Sequence, residues 1–103
     1  MLEPVVIAPE GELDIACIGD FRVVLSDAAR ETVNRVVVDL SSVSFIDASG
    51  LGALVDVYNR LRREKRQLAV VAPNGSAVAV MLTLAGLRGR LPIFETRQAA
   101  LES

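Results

Sequence analysis

The chain has 103 residues, of which 51% are apolar, with three Phe, one Tyr and no Trp, and a net charge of −2. That composition supports an aliphatic-cored globular fold rather than a disordered chain, and it supplies no global attraction to nucleic acid or membrane. Histidine is absent and Cys17 is the only cysteine, which removes Ser-His-Asp and Cys-His catalysis, an internal disulfide and any cysteine metal cluster.

The length fits one domain over residues 1–103. Met1 to Ile7 lacks the basic flank and long apolar stretch of a signal peptide. No apolar run approaches the ~18 residues of a membrane span. A soluble, cytoplasmic protein is expected.

Glu3 to Ala8, with Val5-Val6-Ile7, reads as a first strand. Pro9-Glu10-Gly11 breaks it, and Glu12-Leu13-Asp14 reads as a polar elbow into an irregular segment, Ile15 to Gly19. Asp20 is the expected cap of a helix carrying Phe21, Val24, Leu25, Ala28 and Thr32 at helical spacing. Val36 to Leu40 is an unbroken apolar run ending at Asp39-Leu40, the pattern of a strand buried on both faces. Ser41-Ser42 turn the chain, and Val43, Phe45 and Ile46 then pack nearby.

A second helix is expected from about Ser49 to Arg66, with Leu51, Leu54, Val55, Tyr58 and Leu61 as its apolar stripe. Ser49 is read as its N-cap. Gly50 and Gly52 allow a close neighbour at the first turn. Arg62, Arg63, Lys65 and Arg66 suit the negative end of the helix dipole; a nucleic-acid or lipid patch would need a basic surface that continues elsewhere. Leu68 to Ala72 is a further strand, closed by Pro73-Asn74-Gly75. Ser76 caps a third helix, Ala77 to Leu87, that is apolar almost all round. Its Val80 and Leu84 either pack inside the fold or face another chain. Pro92-Ile93-Phe94 is a short last strand, and Thr96 caps a final helix, Arg97 to Glu102. Strands alternating with helices imply a mostly parallel sheet.

Enzyme chemistry finds little support. Asp14, Asp39 and Asp47 could meet at strand ends, but paired-acid catalysis wants a cleft. Gly50-Leu51-Gly52 lacks the third glycine of a dinucleotide fingerprint and the lysine of a P-loop. Ser49 carries two readings, a plain N-cap or a hydroxyl that accepts a phosphoryl group. A phosphate on a helix N-terminus would meet free N–H groups and the positive dipole end. It would also add about −1.5 to −2 charge beside Asp47 and repel a docked partner.

Gly11-Glu12-Leu13-Asp14, Val37-Val38-Asp39-Leu40 and Phe45-Ile46-Asp47-Ala48-Ser49-Gly50-Leu51-Gly52 resemble, in order and spacing, the bacterial STAS-domain anti-sigma-factor antagonists. Ala85-Gly86-Leu87 fits that family's Ser-Gly-Leu. The resemblance implies an α/β fold, a single STAS-like domain with a mixed, mostly parallel sheet of four to five strands and about four helices. It implies that Ser49 is phosphorylated by an anti-sigma factor with serine kinase activity. It also implies that the unphosphorylated form binds that factor through Asp14, Asp47, Ala48, Gly50, Leu51 and Gly52. No catalysis, cofactor, metal, nucleic acid or membrane insertion is expected.

Three features depart from the family pattern. Ala48 leaves Ser49 as the only hydroxyl of the turn. Only one strand precedes Gly11. Ala79 and Val80 stand where relatives often carry charge. The last two point to a homodimer, through the Val80 and Leu84 helix or through the N-terminal strand. The two alternative functions are a non-phosphorylated STAS module acting as a structural subunit of a transport or stress-signalling complex, and a small-ligand or nucleotide binder at the helix N-terminus.

Overall fold

A computed structural model describes residues 4–30 and 33–103. The element order is β1 (Val5–Ile7), β2 (Gly11–Leu13), α1 (Ile18–Arg30), β3 (Arg35–Asp39), β4 (Val43–Ile46), α2 (Ala48–Arg63), β5 (Gln67–Val71), α3 (Ala77–Leu84), β6 (Ile93–Phe94) and α4 (Arg97–Glu102). Four strands form a parallel sheet in the order β1-β3-β5-β6, and β2 pairs in parallel with β4 in a second, two-stranded sheet.

The apolar run of β3 makes it the centre. Val36, Val37 and Val38 are all fully buried. Because a strand alternates its faces, Val36 and Val38 join one cluster and Val37 another. The larger cluster fills the space under α1, α2 and α3 with Phe21, Leu25, Leu54, Leu61, Val78 and Leu82. The smaller one gathers Val37, Ala69 and Val71 under Ala100 of α4.

Helix α4 is latched by two arginines. Its own Arg97 donates through Nε to Asp39 Oδ2 at 2.9 Å. Arg35 Nη1 donates to the carbonyls of Ala100 at 3.0 Å and Leu101 at 3.3 Å, satisfying the last turn. Asp39 is the buried charged residue among those described, and Ser41 supplies both its N–H and its hydroxyl to Oδ1. Burial pushes this carboxyl up, but the Ser41 hydrogen bonds and the Arg97 guanidinium outweigh it and hold it below the ordinary aspartate value.

Several boundaries differ from expectation. Glu3 and Thr32 lie outside the described residues. The Glu12 elbow is part of strand β2, whose partner β4 is the Val43–Ile46 stretch. Helix α1 begins at Ile18, so Asp20 sits in its first turn instead of capping it, and Val24 is exposed. Helix α2 stops at Arg63, where Glu64 caps it and Lys65 turns left-handed at φ 59°. Helix α3 stops at Leu84, because Gly86 at φ 72° lets Leu87 N–H reach back to Leu82 O. Ser76 and Thr96 cap as expected, accepting from Ala79 N at 3.1 Å and Ala99 N at 3.0 Å.

Asp39 generates a pH prediction. A carboxyl held below its unfolded value stabilises the fold above that value, about 3.9, and loses the contribution as pH falls through the lower folded value. Arg97→Gln should lower the unfolding free energy from urea titration at pH 7 by about 1 kcal/mol or less, because Arg97 is half exposed. The gap to wild type should narrow at pH 3. A gap unchanged between the two pH values would remove Asp39 as its source.

Candidate functional site

The C-terminal ends of β2 and β4 place two turns side by side. At the first, Asp14 Oδ1 accepts from Ala16 N and Cys17 N, both at 3.1 Å, folding the chain into α1. Through a hydrogen bond and its charge, Asp14 also pushes the Cys17 thiol above the ordinary cysteine value. The thiol is therefore protonated at neutral pH and a poor nucleophile.

At the second turn, Asp47 rather than Ser49 caps α2. Its backbone is extended, φ −108° and ψ −171°. Oδ1 accepts from Ser49 N at 2.9 Å and Gly50 N at 3.2 Å. The other oxygen, Oδ2, accepts from Ile15 N at 3.1 Å. The carboxylate thus caps the helix and also ties the two turns together. Asp47 N–H adds a bond to Leu13 O at 3.2 Å. Leu51 N donates to Asp47 O, which leaves Ala48 N–H as the one first-turn donor with no partner among the described residues. The expectation that a phosphate here would meet several free N–H groups is corrected accordingly.

Ser49 occupies the second helical position. It is half-buried, and its hydroxyl makes no hydrogen bond to any described residue, so it is accessible from solvent. Ala48 is exposed, while Asp14, Asp47 and Gly52 are half-buried. Gly50 and Leu51 differ from these, being buried; Leu51 belongs to the core cluster. Both position the turn and present little surface.

The two glycines have unequal work. A Cβ on Gly50 would lie 2.6 Å from Ile46 Cγ1 and 2.7 Å from Leu13 O. The first turn of α2 therefore rests directly on the ends of β2 and β4. A Cβ on Gly52 would meet nothing nearer than Arg22 Nη2 at 3.9 Å.

Two apolar residues near this turn are exposed: Phe45, which the sequence pattern led one to expect packed, and Ile15, which it did not single out. Ile15 is 77% exposed and Phe45 is 45% exposed. Phe45 sits two residues before Asp47 on β4, and Ile15 lends its N–H to the Asp47 carboxylate. The surface around Ser49 is thus a set of carboxylates edged by exposed apolar side chains.

The STAS domain family model matches residues 2–100. The chain belongs to this family. Among solved structures, this STAS domain is similar to an anti-sigma factor antagonist from Mycobacterium paratuberculosis, with 27% identity and a TM-score of 0.89 over 99% of this chain and 86% of that one. It is also similar to a putative anti-sigma factor antagonist from Thermotoga maritima, with 28% identity and a TM-score of 0.84 over 96% and 85% of the two chains. The STAS domain of a SulP transporter from Vibrio cholerae shares the fold at 22% identity and a TM-score of 0.72, over 98% of this chain and 80% of that one. Among the described residues of this STAS domain, no helix is long and apolar enough to cross a membrane, and no three Asp, Glu or Cys side chains group as a metal site.

Two predictions come from this geometry. Gly50→Ala should destabilise the fold by about 1–3 kcal/mol through overpacking against backbone. Gly52→Ala should be neutral or stabilise by up to ~1 kcal/mol through helix propensity. Thermal melts of the two variants check the contrast, and equal behaviour would contradict it. Asp47→Ala should cost about 1–2 kcal/mol for the lost cap, plus the tie to Ile15. Asp47→Asn, which keeps one capping oxygen, should recover most of that in urea titration.

Proposed function

We propose that this STAS domain is an anti-sigma-factor antagonist acting in the cytoplasm. It docks an anti-sigma factor on the face built by Asp14, Asp47, Ala48 and Ser49, and so frees a sigma factor for transcription. Ser49 is the phosphoacceptor. The partner's kinase activity moves the γ-phosphoryl group of ATP to Ser49 Oγ, with ADP leaving and the hydroxyl proton released.

The observation that carries this reading is the unpartnered, solvent-reached hydroxyl of Ser49 on a helix terminus held rigid by Asp47. A phosphate there adds about −1.5 to −2 charge. The helix dipole offsets part of it. The Ser49 and Gly50 amides cannot, because Asp47 already holds them. The new charge therefore faces outward, beside Asp47 and near Asp14. A partner seated there meets repulsion, while the backbone keeps its shape. Likeness to the mycobacterial and Thermotoga antagonists supports the docking role.

The test is incubation with the cognate kinase and ATP, read by mass spectrometry. Phosphate on Ser49 is expected, and a phosphate elsewhere with Ser49 bare would defeat the assignment. Ser49→Asp should weaken partner binding at least about tenfold, as expected for an unpaired charge at a docked surface. Its melting temperature should move far less than that of Asp47→Ala.

A second reading rests on α3. Val80 and Leu84 are 50% and 75% exposed, an apolar face that suits a module held in a larger assembly or a second copy of the chain. Co-purification separates the readings: a kinase-type ATPase partner supports the switch, a transporter subunit the module.

A further inference from the structure

Among the described residues, β1 leaves one edge of the four-stranded sheet open: it pairs with β3 and has no second neighbour in the sheet order. A groove of about 580 Å³ follows this edge, with β1 and the start of β2 as one wall and α1 as the other. Val6, Leu13, Phe21 and Val24 give it an apolar lining, and Glu10, Glu12 and Asp20 stand around it. These three carboxylates are exposed, and none forms an ion pair among the described residues.

We propose that this groove accepts an extended segment of a partner protein in which apolar residues alternate with Lys or Arg. An open strand edge offers unpaired N–H and C=O groups to an added strand. Alternation with period two sends apolar side chains into the groove and leaves long cationic ones free to reach the rim. Charge selects the occupant. The acidic rim rejects anionic lipid and nucleic acid. A two-fold contact of this edge with its own copy sets the rim of Glu10, Glu12 and Asp20 against the same three carboxylates, so like charges meet. The groove adjoins the Asp14 turn through Cys17, but its use does not depend on phosphorylation of Ser49.

The test titrates the intact chain into a fluorescein-labelled octapeptide of alternating Arg and Val, read by anisotropy. Binding that weakens with added salt is expected, as is loss of at least about tenfold in affinity on reversing three rim charges, Glu10→Lys, Glu12→Lys and Asp20→Lys together. Amide hydrogen exchange should slow in β1 when the peptide is bound. Should the triple variant fold poorly, Val24→Lys alone, on the exposed flank of α1, removes an apolar contact and adds a repelling charge, and should also weaken binding. Equal affinity for wild type and variant would overturn the proposal. So would equal binding of an alternating Glu and Val peptide, or protection confined to regions outside β1. Sedimentation showing a dimer that Val24→Lys dissolves and the charge reversals leave intact would assign the edge to a second copy instead.

Discussion

One carboxylate holds the two turns at the strand ends together. Asp47 divides its two oxygens between the first turn of α2 and the backbone of Ile15. The first role is local helix capping. The second joins segments 32 positions apart in sequence. Without it, the turn after β2 and the turn after β4 would keep only the backbone bond from Asp47 N to Leu13 O between them. Gly50 completes the arrangement from below by letting the helix settle on Leu13 O and Ile46. The Ser49 hydroxyl is thus presented by a frame fixed from two sides, as the proposed docking role requires.

Charge is sorted along the same axis. The carboxylates of Glu10, Asp14 and Asp47 follow the C-terminal ends of strands, and most of the cations of α2 occupy its far end. Part of that far-end charge is consumed internally: Arg60 and Arg66 pair with Glu64, and Arg66 also holds the carbonyls of Ala29 and Val33. The chain therefore presents an acidic end while its net charge stays at −2. Partner choice follows from where the charges sit more than from their sum.

The sequence exposed the parts of the fold whose signals are local. Val36-Val37-Val38 reads as a buried strand because three consecutive apolar residues need two covered faces, and α4 does cover the second one. Ser76 and Thr96 read as caps because each is the lone hydroxyl before its helix. At α2 two candidate caps stand two residues apart, and the local pattern does not choose. The choice falls to Asp47 through its bond to Ile15, a contact that no window of sequence contains. Strands β2 and β4 escaped notice for the same reason: three and four residues are too few for a period, and their pairing is long-range. Gly50 and Gly52 look equivalent in the sequence and differ only in what lies beneath them. The groove beside β1 depends on a strand neighbour that is absent among the described residues, which no local pattern reveals.

The thin second face of the sheet has a consequence of its own. A six-residue helix has no independent stability, so α4 stays in place through Ala100 and its two arginine clasps. Opening those clasps would bare Val37, Ala69 and Val71 without disturbing the larger core. The second face of the sheet is thus closed by one short helix, and its apolar strip stays dry only while two guanidinium contacts hold.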